Sequence, residues 1–331
     1  MKVLIVRNDK LGDFMLAWPA IALLKQQYSD TKITVLVPEY TRPVAEVCPW
    51  IDSIIVDNES SAFQLSKIIS SHRFDASISL FSELRTSFAL WLSRIPARVG
   101  PATKLAQVFL NRRLRQKRSR SLKPEYEYNA DLVRHFIRLN GDRPTQIPPP
   151  PYLSLDPSLS NTIREKYVRE EKIDSKAKLV YIHPGSGGSA TNLSIEQYAD
   201  LADIISQSSN VHLVITAGPD ELNIASELTR NMKSNNYSIY HSTEGLVNFI
   251  NFIAICDMFI SGSTGPLHIA GALNVKTAGF YPARRSATAL RWQTINEECK
   301  RLSFMPDSYT GVDDMKKLDI NECARIIVKH L

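Results

Sequence analysis

The sequence predicts an α/β protein built from two Rossmann-like domains. Three observations predict it: a length of 331 residues, short apolar runs alternating with amphipathic stretches, and a proline run that interrupts the alternation before it resumes. At about 100–200 residues per domain, two domains are expected. Strands that alternate with helices imply a parallel sheet with helices on both faces.

In the first half, residues 2–7, 33–37, 53–56 and 76–81 read as strands. Helical patterns run over 14–28, 62–71, 85–93 and 128–139. Arg143 to Pro151 contains five prolines. Prolines lack a backbone donor and favour extended structure, so this run is the expected linker between domains at 1–147 and 148–331. In the second half, strands are expected at 179–183, 211–216, 238–241, 258–261 and 276–281. Helices are expected at 194–206, 221–232, 246–255, 266–273 and 320–331, and Ser194 with Gln197 forms a capping box for the first of them. The last helix can pack back on the N-terminal domain.

Composition narrows the function classes. Hydrophobic residues make up 44% and charged residues 22%, as in a soluble globular protein. No apolar run is long enough to span a bilayer, and the start reads as a buried strand rather than a leader, so a cytoplasmic location is expected. Cys48, Cys256, Cys299 and Cys323 lack metal-like spacing and read as reduced thiols. The net charge of +6 is unevenly spread: from Arg94 to Lys123 all ten charged residues are basic. Such a block suggests an acidic partner, which nucleic acid, anionic lipid or a phosphorylated saccharide would satisfy, or else a solvated basic face.

Open parallel sheets bind ligands at the carboxyl ends of their strands, and three strand-to-helix junctions stand out there. In Arg7-Asn8-Asp9-Lys10-Leu11-Gly12-Asp13, Asp13 falls near a helix start. A carboxylate there either caps the helix or serves as a general base. GxGxxG and P-loop patterns are both absent. In His183-Pro184-Gly185-Ser186-Gly187-Gly188-Ser189, small residues let backbone amides approach a phosphate, unless the segment is simply a loose surface loop. In Ser261-Gly262-Ser263-Thr264-Gly265-Pro266-Leu267-His268, Thr264 and Gly265 sit at free helical amides and Pro266 suits the first turn. His268 is either a core histidine or a ligand contact. No paired carboxylates of DxD type sit at a strand end in the second half; Asp313-Asp314 lies in a late, irregular stretch.

At these residues the chain resembles a known family. Val3-Leu4-Ile5-Val6-Arg7 running into Leu11-Gly12-Asp13, then His183-Pro184-Gly185-Ser186, Ala217-Gly218-Pro219-Asp220-Glu221 and Ser263-Thr264-Gly265-Pro266-Leu267-His268-Ile269-Ala270 occur in family order. Arg98-Val99-Gly100, Arg115-Gln116-Lys117-Arg118-Ser119 and Glu125-Tyr126-Glu127-Tyr128-Asn129 add to the match. The chain is similar to the ADP-heptose:lipopolysaccharide heptosyltransferases, glycosyltransferase family 9, whose GT-B fold sets two Rossmann-like domains across a cleft. The resemblance implies an inverting transfer without metal or other cofactor, from a nucleotide sugar such as ADP-heptose to a phosphorylated, lipid-linked saccharide at the inner face of an anionic membrane. Nucleic acid is then not a partner.

By the same resemblance Asp13 is the catalytic base, and the N-terminal domain binds the acceptor. Gly185, Ser186, Glu221, Ser263, Thr264, Gly265 and His268 hold the donor, Glu221 at its nucleoside. Arg98, Arg112, Arg113, Arg115, Lys117, Arg118 and Arg120 meet the acceptor's negative charges. Two departures stand out: many members carry a lysine soon after the His-Pro-Gly-Ser loop, where Ser189 to Leu193 has no cation, and an acid before Thr-Gly, where this chain has Ser263. Lys10, Arg284 and Arg285 are candidates to replace the lysine. An epimerase or hydrolase of the same fold, and a non-catalytic binder of anionic lipid or nucleic acid, are the rival readings.

Overall fold

The computed structural model describes residues 1–187, 191–208, 210–308 and 315–331. It divides into two units, Met1–Tyr152 and Leu153–Leu331. Each contains one six-stranded, fully parallel sheet.

The N-terminal sheet comprises β1 (Lys2–Val6), β2 (Lys32–Pro38), β3 (Ser53–Asp57), β4 (Ala76–Ser79), β5 (Ala97–Pro101) and β6 (Arg112–Leu114), in the order β3-β2-β1-β4-β5-β6. The C-terminal sheet comprises β7 (Lys178–His183), β8 (Val211–Ala217), β9 (Tyr237–His241), β10 (Met258–Gly262), β11 (Lys276–Phe280) and β12 (Arg301–Phe304), in the order β12-β11-β10-β7-β8-β9. Counted from each unit's first strand, the two orders are the same. Each chain path builds outward on one side, then crosses back to pair its fourth strand with its first. The loops on either side of that crossing diverge and leave a crevice at the carboxyl ends of β1 and β4, and of β7 and β10.

Central strands are apolar on both faces, as helix-covered parallel strands must be. Val3 to Val6 and Leu213 to Ile215 are completely buried. Three strands were not expected from the sequence. β5 (Ala-Arg-Val-Gly-Pro), β6 (Arg-Arg-Leu) and β12 (Arg-Leu-Ser-Phe) are short and charged, and β6 and β12 lie at sheet ends, where one flank needs no apolar cover. The basic stretch is thus part of the sheet and not simply a loop or helix. The expected first helix is broken into Leu11–Met15 and Trp18–Gln27, with Pro19 near the start of the second. A helix at Pro157–Glu170, capped by Asp156, has no counterpart among the expected elements, because its mixed surface carries little apolar period.

The proline run is anchored to the N-terminal unit. Thr145 N–H donates to Gln27 Oε1 at 3.0 Å, and Tyr152 packs edge-on against Trp50 while its hydroxyl donates to Pro148 O at 2.6 Å. Leu153 N–H, one residue on, donates to Ala272 O. The unit boundary therefore falls after Tyr152 rather than at 147.

The terminal helix, Ile320–His330, is part of the C-terminal unit's core. It packs on the Ile195–Ser206 helix, and Ile320, Cys323, Ala324 and Ile327 join the C-terminal core. Ile327→Ala should lower the stability of that unit by about 2–5 kcal/mol, as deletion of a fully buried side chain does. Calorimetry checks this; an unchanged melting profile would make the helix an accessory.

Candidate active site

In the N-terminal unit a single guanidinium organises the crevice. Arg7 follows β1 and is buried. Its Nη2 donates to Asp13 Oδ1 at 2.5 Å, and its Nη1 contacts Glu125 Oε1, Asn129 Oδ1 and Leu80 O at 3.3 Å each. Its Nε lies 2.9 Å from Asp9 Oδ1, a charge contact without hydrogen-bond alignment. Glu125 and Asn129 come from the helix Glu125–Leu139, and Leu80 follows β4.

Asp13 lies in the first turn of its helix, yet it does not cap it. Among the described hydrogen bonds its carboxylate accepts only from Arg7. With 17% of the side chain exposed, it remains reachable. Burial pushes the Asp13 carboxyl up, and the Arg7 charge opposes this. Burial pushes Asp9 up to about 7, against Arg7 and with the added repulsion of Asp13.

The basic segment divides here. Arg118 Nη1 donates to Glu125 Oε1 at 2.8 Å and Leu80 O at 3.0 Å, and its Nε to Gln116 Oε1 at 2.9 Å. It belongs to the Arg7 network. The Arg98 guanidinium donates to Phe109 O and Ile95 O, bracing the strand edge. Arg112, Arg113, Arg115, Lys117 and Arg120 are exposed. The structure thus gives two of the seven basic candidates internal partners and presents five to solvent. Beside this site, Asp57 accepts from both Nη atoms of Arg85 at 3.0 and 2.6 Å, and from Asn8 Nδ2 at 2.6 Å.

In the C-terminal unit a carboxylate is the organiser. Glu221 Oε1 accepts from Gly187 N–H at 3.2 Å, its Oε2 accepts from Gly218 N–H at 3.0 Å, and His183 Nε2 lies 3.4 Å from Oε2. It clasps the loop after β7 to the loop after β8. A Cβ on Gly185 would fall 2.2 Å from the Glu221 carboxyl carbon, so glycine is required there by the clasp itself. Burial lowers the His183 pKa, while Glu221 raises it.

A second set of bonds joins the loops after β7 and β10. Ser261 Oγ donates to His183 O at 2.9 Å and lies 3.0 Å from Thr264 Oγ1. Tyr198 Oη donates to Asn192 Oδ1 at 2.5 Å and accepts from Gly262 N–H at 3.0 Å, while Asn192 Nδ2 donates to Pro184 O at 2.9 Å. Thr264 is the N-cap of the helix Gly265–Ala272, with Ser263 and Gly265 half-buried beside it. His268 is buried inside that helix, its Nδ1 has no hydrogen-bond partner among the described residues, and burial lowers its pKa to about 4. Arg284 and Arg285 are exposed in the loop after β11, in the same unit as these loops; Lys10 is in the other. Gly188, Ser189, Ala190 and Asp313-Asp314 lie outside the described residues.

Comparison with known proteins decides the family. The family model for glycosyltransferase family 9 (heptosyltransferase) matches residues 62–306. The chain belongs to glycosyltransferase family 9. A Haemophilus influenzae protein, provisionally named a glycosyltransferase, is 44% identical over 96% of this chain and 92% of its own. Lipooligosaccharide heptosyltransferase 2 of Haemophilus ducreyi is 24% identical over 83% of this chain and 80% of its own. Among solved structures, Escherichia coli ADP-heptose LPS heptosyltransferase II superposes with a TM-score of 0.78 at 17% identity, covering 100% of this chain and 97% of that one. An Escherichia coli heptosyltransferase with ADP gives 0.73 at 15% identity over the full length of both. The fold is therefore of GT-B type, and this family member is a glycosyltransferase.

The sequence does not single out Arg7 as the partner of Asp13, nor Asp9, Glu125 and Asn129 as the groups around Arg7. The available signal was an arginine ending a buried apolar strand with acids two and six residues on.

Two predictions follow from these geometries. Gly185→Ala should displace the Glu221 carboxylate, so that it and Glu221→Ala both speed amide exchange at Gly187 and Gly218; protection retained in both variants would refute the clasp. Asp9 holds a proton in the folded state that it has lost in the unfolded one between about pH 4, the unfolded value, and pH 7. The native state then binds more protons, so this group's contribution to stability falls as pH rises through that window. Asp9→Asn should accordingly flatten the pH dependence of the melting temperature between those limits and stabilise most at its upper end.

Proposed function

We propose that this glycosyltransferase catalyses an inverting, metal-independent transfer of a heptose or related sugar, from a nucleoside-diphosphate sugar of ADP-heptose type to the lipopolysaccharide core or a related surface glycan. The carrying observation is Asp13: a reachable carboxylate after β1 that bonds to Arg7 and caps nothing. In the proposed step an acceptor hydroxyl oxygen attacks the anomeric carbon. Its proton passes to Asp13, the bond from that carbon to the diphosphate breaks, and the leaving diphosphate takes the electron pair.

Donor binding is assigned to the C-terminal unit. Loop amides around Gly185 and Ser186, and the helix start at Ser263, Thr264 and Gly265, suit a diphosphate. Glu221 and His268 complete the set, and Arg284 or Arg285 supplies the cation missing between 189 and 193. The names of the relatives support the sugar and its acceptor, since heptosyltransferases acting on lipooligosaccharide recur among them. The exposed Arg112, Arg113, Arg115, Lys117 and Arg120 suit the phosphates of such an acceptor, because the guanidinium fork donates two parallel hydrogen bonds. The reaction would run on the cytoplasmic face of the membrane. Among the described residues no helix is long and apolar enough to cross it.

Asp13→Asn tests the reading. Turnover with ADP-heptose and a lipid-linked acceptor should fall by about 10²–10⁴-fold, while ADP-heptose still raises the melting temperature. Wild-type turnover should persist in excess EDTA. Near-normal turnover of the variant at saturating acceptor would remove Asp13 as base, and a metal requirement would overturn the electrostatic role given to the loops.

A further inference from the structure

Sixteen large apolar side chains are exposed on the described surface, and a group of them gathers in one place. Phe63, Leu84, Trp91, Leu105 and Val108 are 62%, 51%, 49%, 75% and 65% exposed. They come from three elements of the N-terminal unit: the helices Ala62–His72 and Leu84–Leu92, and the 3-10 turn Leu105–Phe109. Aromatic contacts join them. Phe88 meets Phe63 edge-on at 5.9 Å, stacks on Trp91 at 5.8 Å and touches Phe109 at 5.1 Å. Leu84, Phe88 and Trp91, spaced i, i+4 and i+7, share one helix face. The turn bearing Leu105 and Val108 packs on that helix. Single exposed apolar residues are ordinary, but a contiguous group drawn from three elements marks a contact surface.

Charge identifies the occupant. Lys104 directly precedes Leu105, and Arg94 follows the helix that carries Trp91; both are exposed. Lys67, exposed, shares a helix face with Phe63. Arg113 is exposed on β6, four residues beyond Phe109, while its strand neighbour Arg112 lies near His135 of the helix Glu125–Leu139. The acid beside Leu84, Glu83, is paired with Arg85 at 3.4 Å. An apolar group containing tryptophan and rimmed by lysine and arginine fits the boundary of an anionic bilayer, where aromatic rings sit at headgroup depth and cations meet lipid phosphates.

We propose that Phe63, Leu84, Trp91, Leu105 and Val108 form a membrane-docking face that inserts shallowly into an anionic lipid surface. It deepens the membrane-facing reading above and rests on it for the biological setting. The basic segment then has two roles, with Lys104 and Arg113 nearest the lipid and Arg118 turned into the Arg7 network. A face of this kind makes several weak contacts with lipid, so its attachment is reversible.

Vesicle binding tests this without any enzymatic readout. The full chain should cosediment with vesicles of phosphatidylglycerol mixed with phosphatidylcholine, and much less with phosphatidylcholine alone. Binding should weaken with salt. The fluorescence shift to the blue on binding should be lost in Trp91→Phe, which keeps the apolar surface. Leu105→Gln with Val108→Gln should lower partitioning by about tenfold or more, and neutralising Lys104 and Arg113 by roughly fivefold for each charge. Both variants alter exposed side chains, and their melting temperatures should match the wild type. Partitioning unchanged in the Leu105/Val108 variant would overturn the proposal. So would equal binding to neutral vesicles, or a stable dimer in solution that this variant dissociates, since the face would then be covered by a second copy. None of these outcomes bears on Asp13, and loss of transfer activity in Asp13→Asn leaves the docking face untouched.

Discussion

The N-terminal unit depends on where it places one buried positive charge. Arg7 ends the central strand at the point where the sheet order reverses, with Asp13, Asp9 and Glu125 around its guanidinium. Removing an arginine from water is costly unless its donors are met and its charge balanced. This site meets both Nη donors and overcompensates the charge: three carboxylates face Arg7 and Arg118, and burial, with the repulsion of Asp13 added, pushes Asp9 upward against the pull of Arg7. Taking out Arg7 alone would leave buried carboxylates facing one another. The catalytic carboxylate proposed here is thus set by the fold, because helix Glu125–Leu139, strand β1 and the loop after β4 must all be in place before Asp13 is held.

The C-terminal unit solves the converse problem with the opposite sign. Its crevice is lined by loop amides, which attract anions, and Glu221 satisfies two of them while bringing two loops together. Ser261, Asn192 and Tyr198 tie in the third loop through neutral hydrogen bonds. One strand order, used twice, yields a cation-centred site in one half and a carboxylate-centred site in the other.

The architecture was readable in the sequence wherever a strand had to be buried on both faces, as at Val3 to Val6 or Leu179 to His183. It was unreadable at β6 and β12, because edge strands need neither length nor apolar alternation, and at β5, whose five residues include an arginine and a proline. The three site loops were legible because glycine, proline and small hydroxyl residues follow buried strands there. Their cross-connections were not. The bond from Arg7 to Glu125 spans 118 residues, and no local pattern records it. The same holds for Arg118, whose neighbours in the chain are basic and exposed but whose own charge is turned inward. Residue type announced the chemistry; only tertiary packing sorted which members of a like-charged run were free to use it.

The glycine beneath Glu221 carries a kinetic consequence. Because Gly185 leaves room for the carboxylate, Gly187 and Gly218 are joined through Glu221 by the protein's own bonds. The ordering entropy of the residues so held is spent during folding. A partner that binds beside them does not have to supply it, and capture by such preformed residues is limited by diffusion and orientation.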